Sequence, residues 1–265
     1  MIKFKSKYSP YMQVSATSWI KNFIKTCYFS ISDPFVKPIE IKTNPVFVVG
    51  CGHSGTTLLT TLISRHTSFF PIGYESGIFL PKNGLYTSKN VVKCWDFLSK
   101  QYNKNFFIEK TPKHCLCIKR IFRLTPNAKI LYTVRDGRDN ILSLKKRLLN
   151  LDNSIERWII DNEPAKDWIF HNQIHIVRFE NIINDTAYTI REICDFLKID
   201  FDDSMLYSTY TPYKNNDNSN MALRAEQTRK PIYNSTNTWQ DGLSKSELDI
   251  FWKRSKDMMV SLGYM

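Results

Sequence analysis

The stretch "FVVGCGHSGTTLL" (47–59) sets an apolar run against a glycine-rich turn, and Leu58, Leu59, Leu62 and Ile63 then recur at helical spacing. Gly50 and Gly55 hold the two glycine positions of the GxxxxGK[ST] phosphate loop. Thr56 stands where that motif has its lysine, and Thr57 keeps the hydroxyl position. Backbone N–H groups of such a loop, backed by a helix N-terminus, cradle an anionic group without help from a charged side chain. Transfer of a γ-phosphoryl group is disfavoured, because that chemistry draws on the lysine and on a metal at the β and γ oxygens. A smaller charge at a 5′ position still fits.

A second stretch, "LYTVRDGRDNILSLKKR" (131–147), ends an expected strand at Arg135 and places Ser143 eight residues later, about two helical turns into the next segment. The pair can grip a second anion, although an arginine at a strand end also serves simply as the partner of a carboxylate. Glu75 in "GYES" follows another expected strand, and Lys110 in "IEKTP" ends a third near the same sheet edge. Glu75 reads either as a general base beside the loop or as a solvated turn carboxylate. Lys110 reads as support for a leaving oxygen or as a solvated strand-end lysine. His53 and His114 are alternative proton acceptors, ranked below Glu75.

These residues need a frame to position them. Short apolar runs at 45–50, 69–75, 106–110, 128–135 and 174–180, with helical stretches between most of them, are the pattern of a parallel α/β sheet. Residues 185–199 read as a capped amphipathic helix. Residues 244–264 open with a capping box, Ser244 to Glu247, and close at Gly263. Between them, 202–243 is polar and rich in asparagine and turn residues, the mark of a functional or mobile loop.

At 265 residues, with 42% apolar and 14% aromatic content, the chain can bury one full core. We divide it into an N-terminal extension, 1–44, and a main domain, 45–265. In the extension, Trp19, Ile20, Phe23, Ile24, Cys27 and Tyr28 recur at helical spacing. Such a helix packs on the main domain or, less commonly, lies on a membrane surface, here through residues 18–28. The balance of 37 Lys+Arg against 25 Asp+Glu, net +12, favours anionic partners. The basic residues are scattered and no nucleic-acid-binding module is visible, so nucleic acid is set aside. Six cysteines form no CxxC pair and no zinc-ligand set, and we read them as reduced and mostly buried. No metal site is expected.

Taken together, "GCGHSGTTLL", "FIEKTP", Arg135 and Ser143 in "VRDGRDNILS", and "STNTW…LS…E…LGY" resemble the sulfotransferases that use 3′-phosphoadenosine 5′-phosphosulfate (PAPS). "IGYES" and "VRDGR" look closest to the tyrosylprotein-like and bacterial branch. The resemblance implies a three-layer α/β fold with P-loop nucleotide-triphosphatase-like topology, a parallel central sheet and helices on both faces. It implies PAPS as donor and PAP as product. Ser54, Gly55, Thr56 and Thr57 would then hold the 5′-phosphosulfate and Arg135 and Ser143 the 3′-phosphate, with Gly52 and His53 also in the cofactor-binding set. Ser235 and Trp239 would complete the pocket, with Trp239 either stacking on adenine or capping the core. Glu75 matches the catalytic base, and Lys110 matches a lysine on the leaving oxygen.

The chain departs from the family at His53, where relatives have arginine, and at Thr238, where bacterial relatives have another; Arg229 and Lys230 are candidate compensators. The acceptor is expected to be a hydroxyl of an anionic carbohydrate, with a protein tyrosine as the alternative. A kinase and a non-catalytic nucleotide- or glycan-binding relative are the rival functions. Family members of the lumenal kind carry a membrane anchor not seen here, so a soluble cytoplasmic enzyme is expected.

Overall fold

The computed structural model describes residues 3–6, 9–207, 211–213 and 234–265. Residues 208–210 and 214–233, with Arg229 and Lys230, lie outside them. A hairpin, β1 (Lys3–Ser6) and β2 (Ser9–Ser15), leads into α1 (Ala16–Ser32). The main body then alternates β3 (Asn44–Gly50), α2 (Thr56–Ser64), β4 (Phe69–Pro71), α3 (Leu85–Gln101), β5 (Phe106–Lys110), α4 (Ile118–Leu124), β6 (Lys129–Val134), α5 (Gly137–Leu148), α6 (Leu151–Trp168) and β7 (Ile174–Arg178). Three further helices come next, α7 (Phe179–Asn184), α8 (Thr186–Leu197) and α9 (Ser204–Tyr207). After a single helical turn at Trp239–Gly242, a C-terminal helix runs over Lys245–Ser261.

The sheet is parallel throughout, in the order β4-β5-β3-β6-β7. Central strand β3 shows why. Val46, Phe47, Val48 and Val49 are all fully buried, and a strand buried on both faces needs helices on both. Side chains alternate between those faces. Phe47 and Val49 enter a core with Phe107, Tyr132, Trp158 and Phe251. Val46 and Val48 enter the other with Leu59, Leu62, Ile190 and Ile193. Each such side chain contributes about 1.5–3 kcal/mol, so the middle strand is fixed more firmly than any loop it carries.

All five expected strands are present. The second stops at Pro71 although Ile72 N–H still reaches Ile108 O at 3.0 Å, and Gly73, at φ +77°, turns the chain off the sheet. Both expected late helices form, the C-terminal one with both bonds of its capping box. The hairpin β1–β2 was not among the expected elements. The apolar stripe of α1 also corrects an expectation: among its described side chains Ile20, Phe23, Ile24, Cys27 and Tyr28 are exposed, while Phe29 meets the body at Gly84. Periodicity marks an apolar stripe but does not say what covers it.

The chain leaves β3 between neighbours that were added in opposite directions, β5 on one side and β6 on the other. The carboxyl end of β3 is therefore the switch point where open α/β sheets bind ligands. Gly50 (φ +142°) and Gly55 (φ +92°) hold the turn there in backbone regions that L side chains rarely adopt. A Cβ at Gly50 would lie 2.3 Å from Thr133 O. Gly50→Ala should destabilise the protein by about 2–4 kcal/mol in urea denaturation; an unchanged midpoint would show that the strand end relaxes freely.

Candidate active site

The loop between β3 and α2 is held from several sides. Ser54 Oγ donates to Cys51 O at 2.7 Å and pairs with Thr133 Oγ1 of β6 at 2.6 Å. Asn140 of α5 donates to Gly52 O at 3.2 Å, and Arg135 Nη1 to His53 O at 3.0 Å. His53 itself sits at φ +69°, in the left-handed region. Ser54 thus braces the loop from beneath with its hydroxyl, rather than presenting it outward. Thr56 and Thr57 open α2 directly behind the N-cap Gly55, where N–H groups and the helix dipole favour an anion.

Lys110 ends β5 beside this helix start. Its Nζ lies 2.6 Å from Glu75 Oε1 and 3.4 Å from Thr57 Oγ1. The lysine side chain is 1% exposed and that of Glu75 32%, so the carboxylate faces the opening while the ammonium is seated within. Tyr213 places its ring 5.2 Å from the same Nζ. Candidate base, candidate cation and phosphate loop therefore meet at one point, although they come from three separate parts of the chain.

Glu109, next to Lys110, points the other way and is fully buried. It accepts from Thr111 Oγ1 at 2.6 Å, from Ser76 Oγ at 2.8 Å and Ser76 N–H at 3.2 Å, and from His114 Nδ1 at 3.1 Å. Phe79 N–H donates to His114 Nε2 at 3.2 Å, which leaves Nδ1 as the protonated nitrogen that donates to Glu109. Burial pushes the Glu109 carboxyl up, but His114 and the hydrogen bonds from His114, Thr111 and Ser76 outweigh it and hold the group below the ordinary glutamate value. Because Ser76 follows Glu75, this buried carboxylate fixes the backbone that carries the candidate base. His114 is committed to that network, with its side chain wholly enclosed.

On the β6 side, Arg135 stacks 4.3 Å over the Phe179 ring and donates from Nη2 to Ser235 O at 2.7 Å. Ser143 Oγ lies 2.8 Å from His53 Nδ1. His53 thus links the two expected anion sites, through its carbonyl to Arg135 and through its ring to Ser143. Ser235 joins the group through its carbonyl.

Trp239 stands apart. Arg138 covers its ring at 4.0 Å and the partly buried residue packs on the core. Thr238 has a structural partner: Asp139 accepts from Thr238 Oγ1 at 2.8 Å, Asn237 N–H at 2.7 Å and Trp239 N–H at 2.9 Å. Asp139 was not singled out from sequence, although its place in "RDGRDN" beside Arg135 was the available signal.

Cys51 and Cys115 lie under the loop, and burial pushes both thiols well above their ordinary range. Neither presents a thiolate, so nucleophilic cysteine chemistry finds no support at this site. What the arrangement offers is an anion cradle, a carboxylate and an enclosed ammonium.

The Glu109 network makes two measurable claims. A carboxyl held low in the fold contributes stability above its unfolded value, 4.5, and that contribution is lost as pH falls through the folded value. Glu109→Gln should be about 2–4 kcal/mol less stable near pH 7 and should show a flatter loss of stability than wild type as pH falls from about 5 through the lower folded value. Parallel urea titrations across that range would refute the role if the two slopes coincide.

A sulfotransferase family model matches residues 87–203, and a sulfotransferase domain model matches residues 166–259. Sulfotransferase 2A6 of Rattus norvegicus is 25% identical over 195 residues, covering 63% of this chain and 68% of the relative. A protein of Aquifex aeolicus (strain VF5) is 22% identical over 233 residues, 72% of this chain, and the chain spans 30% of its length. Among solved structures, the sulfotransferase domain of the Synechococcus PCC 7002 olefin synthase superposes with a TM-score of 0.60 at 18% identity, covering 82% of this chain and 97% of that one. Mouse sulfotransferase SULT7A1, solved with PAP, gives a TM-score of 0.50 at 14% identity, covering 88% and 90%. The solved structures share the fold, and the two sulfotransferase models together span residues 87–259, more than half of the chain: the chain belongs to the sulfotransferase family.

Proposed function

We propose that this protein transfers a sulfuryl group from PAPS to the hydroxyl of an acceptor, with Glu75 as general base. The observation that carries the reading is the meeting of Glu75, Lys110 and Thr57 within hydrogen-bond reach at the switch point of the sheet. The donor set suits a ligand with two separated anionic groups: loop N–H groups and Thr57 for one, Arg135 and Ser143 for the other. The PAP seen with mouse SULT7A1 is consistent with that chemistry.

When bound, PAPS supplies the activated sulfuryl group. Glu75 takes the acceptor proton as the acceptor oxygen bonds to sulfur, and the sulfur–oxygen bond to the phosphate breaks, leaving PAP. Lys110, anchored within the fold, stabilises the charge that gathers on the departing oxygen. The enclosed ammonium and the fixed loop dipoles need little reorganisation, which is where such stabilisation is strongest.

The excess of positive charge supports an anionic carbohydrate as acceptor. The six free cysteines support a reducing compartment such as the cytoplasm. The exposed Ile20, Ile24, Tyr28 and Ile31, flanked by Lys21 and Lys25, support peripheral contact with an anionic membrane surface.

Calorimetric titration with PAP, set beside ATP with magnesium, tests the donor class. Wild type should bind PAP and not ATP, and Arg135→Ala should weaken PAP at least tenfold, about 1.4 kcal/mol. Asp139→Ala, which releases the turn at 237–239, should weaken PAP by about three- to tenfold, of the order of one lost charged hydrogen bond. Glu75→Gln should lower kcat by about 10²–10⁴ while leaving PAP affinity within twofold. Undiminished turnover in that variant would remove Glu75 from the role of base, and failure of wild type to bind PAP would favour a non-catalytic relative.

A further inference from the structure

The short segment 211–213, part of the long polar stretch after α9, returns to the sheet edge that carries Glu75 and Lys110. Pro212 and Tyr213 are both buried there. The segment is shaped locally: proline fixes its own φ, and Tyr213 N–H donates to Thr211 Oγ1 at 3.3 Å. It makes two contacts, one with each half of the Glu75–Lys110 pair.

The first contact is with backbone. Gly73 lies two residues before Glu75 at φ +77°, and a Cβ there would sit 2.7 Å from Pro212 O. The segment therefore rests directly on the turn that leads from β4 to Glu75, and a side chain at position 73 would lift it off.

The second contact is with a side chain. The Tyr213 ring centroid is 5.2 Å from Lys110 Nζ, inside the reach of about 6 Å over which a cation is drawn to an aromatic face. The lysine side chain is almost wholly enclosed, and such an attraction is strongest for a cation that water does not reach. Glu75 Oε1, at 2.6 Å, pulls the same ammonium from the half-open side. The buried ring opposes that pull without setting another oxygen beside the charge, so the charge is held in place and not neutralised.

We propose that Tyr213 is a positioning residue for Lys110: its ring seats the ammonium where charge gathers during sulfuryl transfer, and the contact between Pro212 and Gly73 holds the ring there. This rests on the sulfotransferase reading above and extends the site to a residue of the long polar stretch.

Two readouts test it, and the first needs neither donor nor acceptor. In protein carrying isotope-labelled lysine, the Lys110 Hε signal, identified by its loss in Lys110→Met, should lie upfield of the other lysines through the ring current of Tyr213. It should return to the common position in Tyr213→Leu and stay upfield in Tyr213→Phe, which keeps the ring. Gly73→Ala, with Tyr213 intact, should move it part of the way back. The second readout is transfer to water in a single turnover, in which bound PAPS and water give PAP and sulfate. Tyr213→Leu should slow this about tenfold, and Tyr213→Phe should recover most of the loss. PAP affinity should stay within about twofold in both, which also reports that they are folded. A Lys110 signal unmoved in Tyr213→Leu or in Gly73→Ala would overturn the seat. Tyr213→Phe as slow as Tyr213→Leu would overturn it in favour of the hydroxyl, and faster transfer in Tyr213→Leu would make the ring a barrier to water instead. Failure of wild type to bind or turn over PAPS is a separate result: it removes the donor assignment, and the lysine signal then decides the seat by itself.

Discussion

Everything at this site depends on one backbone constraint: the chain leaving β3 must turn into α2 while keeping its N–H groups directed at a common point. Gly50, His53 and Gly55 hold that turn at positive φ, a conformation that local energetics disfavours for His53 and that persists only where neighbours over-determine it. The neighbours are visible. Thr133 holds Ser54, Asn140 holds the Gly52 carbonyl, and Arg135 holds the His53 carbonyl. Each comes from the β6–α5 unit, so the loop and the strand beside it are built as one piece. The two core clusters on either face of β3 give that piece its rigidity.

The carboxylates beside the loop have been given different work by their surroundings. Glu75 and Glu109 lie close in space, linked through Ser76, yet one is paired with a lysine at the opening and the other is enclosed among hydroxyls and an imidazole. A buried carboxylate with every oxygen bonded is costly to disturb. Here that cost is placed where it fixes the backbone next to Glu75. Precision at the site comes from a residue that itself has no access to a reacting group.

The β6 side of the loop is closed by a different device. Asp139, in the first turn of α5, gathers three donors from the turn at 237–239, and Arg135 takes the carbonyl of Ser235. The late turn is thereby tied to the same strand and helix that carry Arg135 and Ser143. Thr238 takes part in this closure through its hydroxyl.

The sequence by itself determined the alternation of strands and helices and the glycine-rich loop, because these are written in local periodicity and in motifs that span a few residues, and it offered Glu75, Lys110, Arg135 and Ser143 as candidates. The end of the second strand was misjudged by a few residues, since Gly73 allows a turn that apolar character does not reveal. Only the tertiary structure decided which residues meet. That Lys110 touches both Glu75 and Thr57, that Glu109 turns away to hold Ser76, that Asp139 clasps residues about a hundred positions on, and that Tyr213 sits against Lys110 are long-range facts. They stem from strand order and register, which depend on how two cores pack around β3, and no local pattern encodes that. The apolar stripe of α1 shows the same limit from the other direction, for its spacing was plain in the sequence while its exposure was settled only by what the fold left beside it.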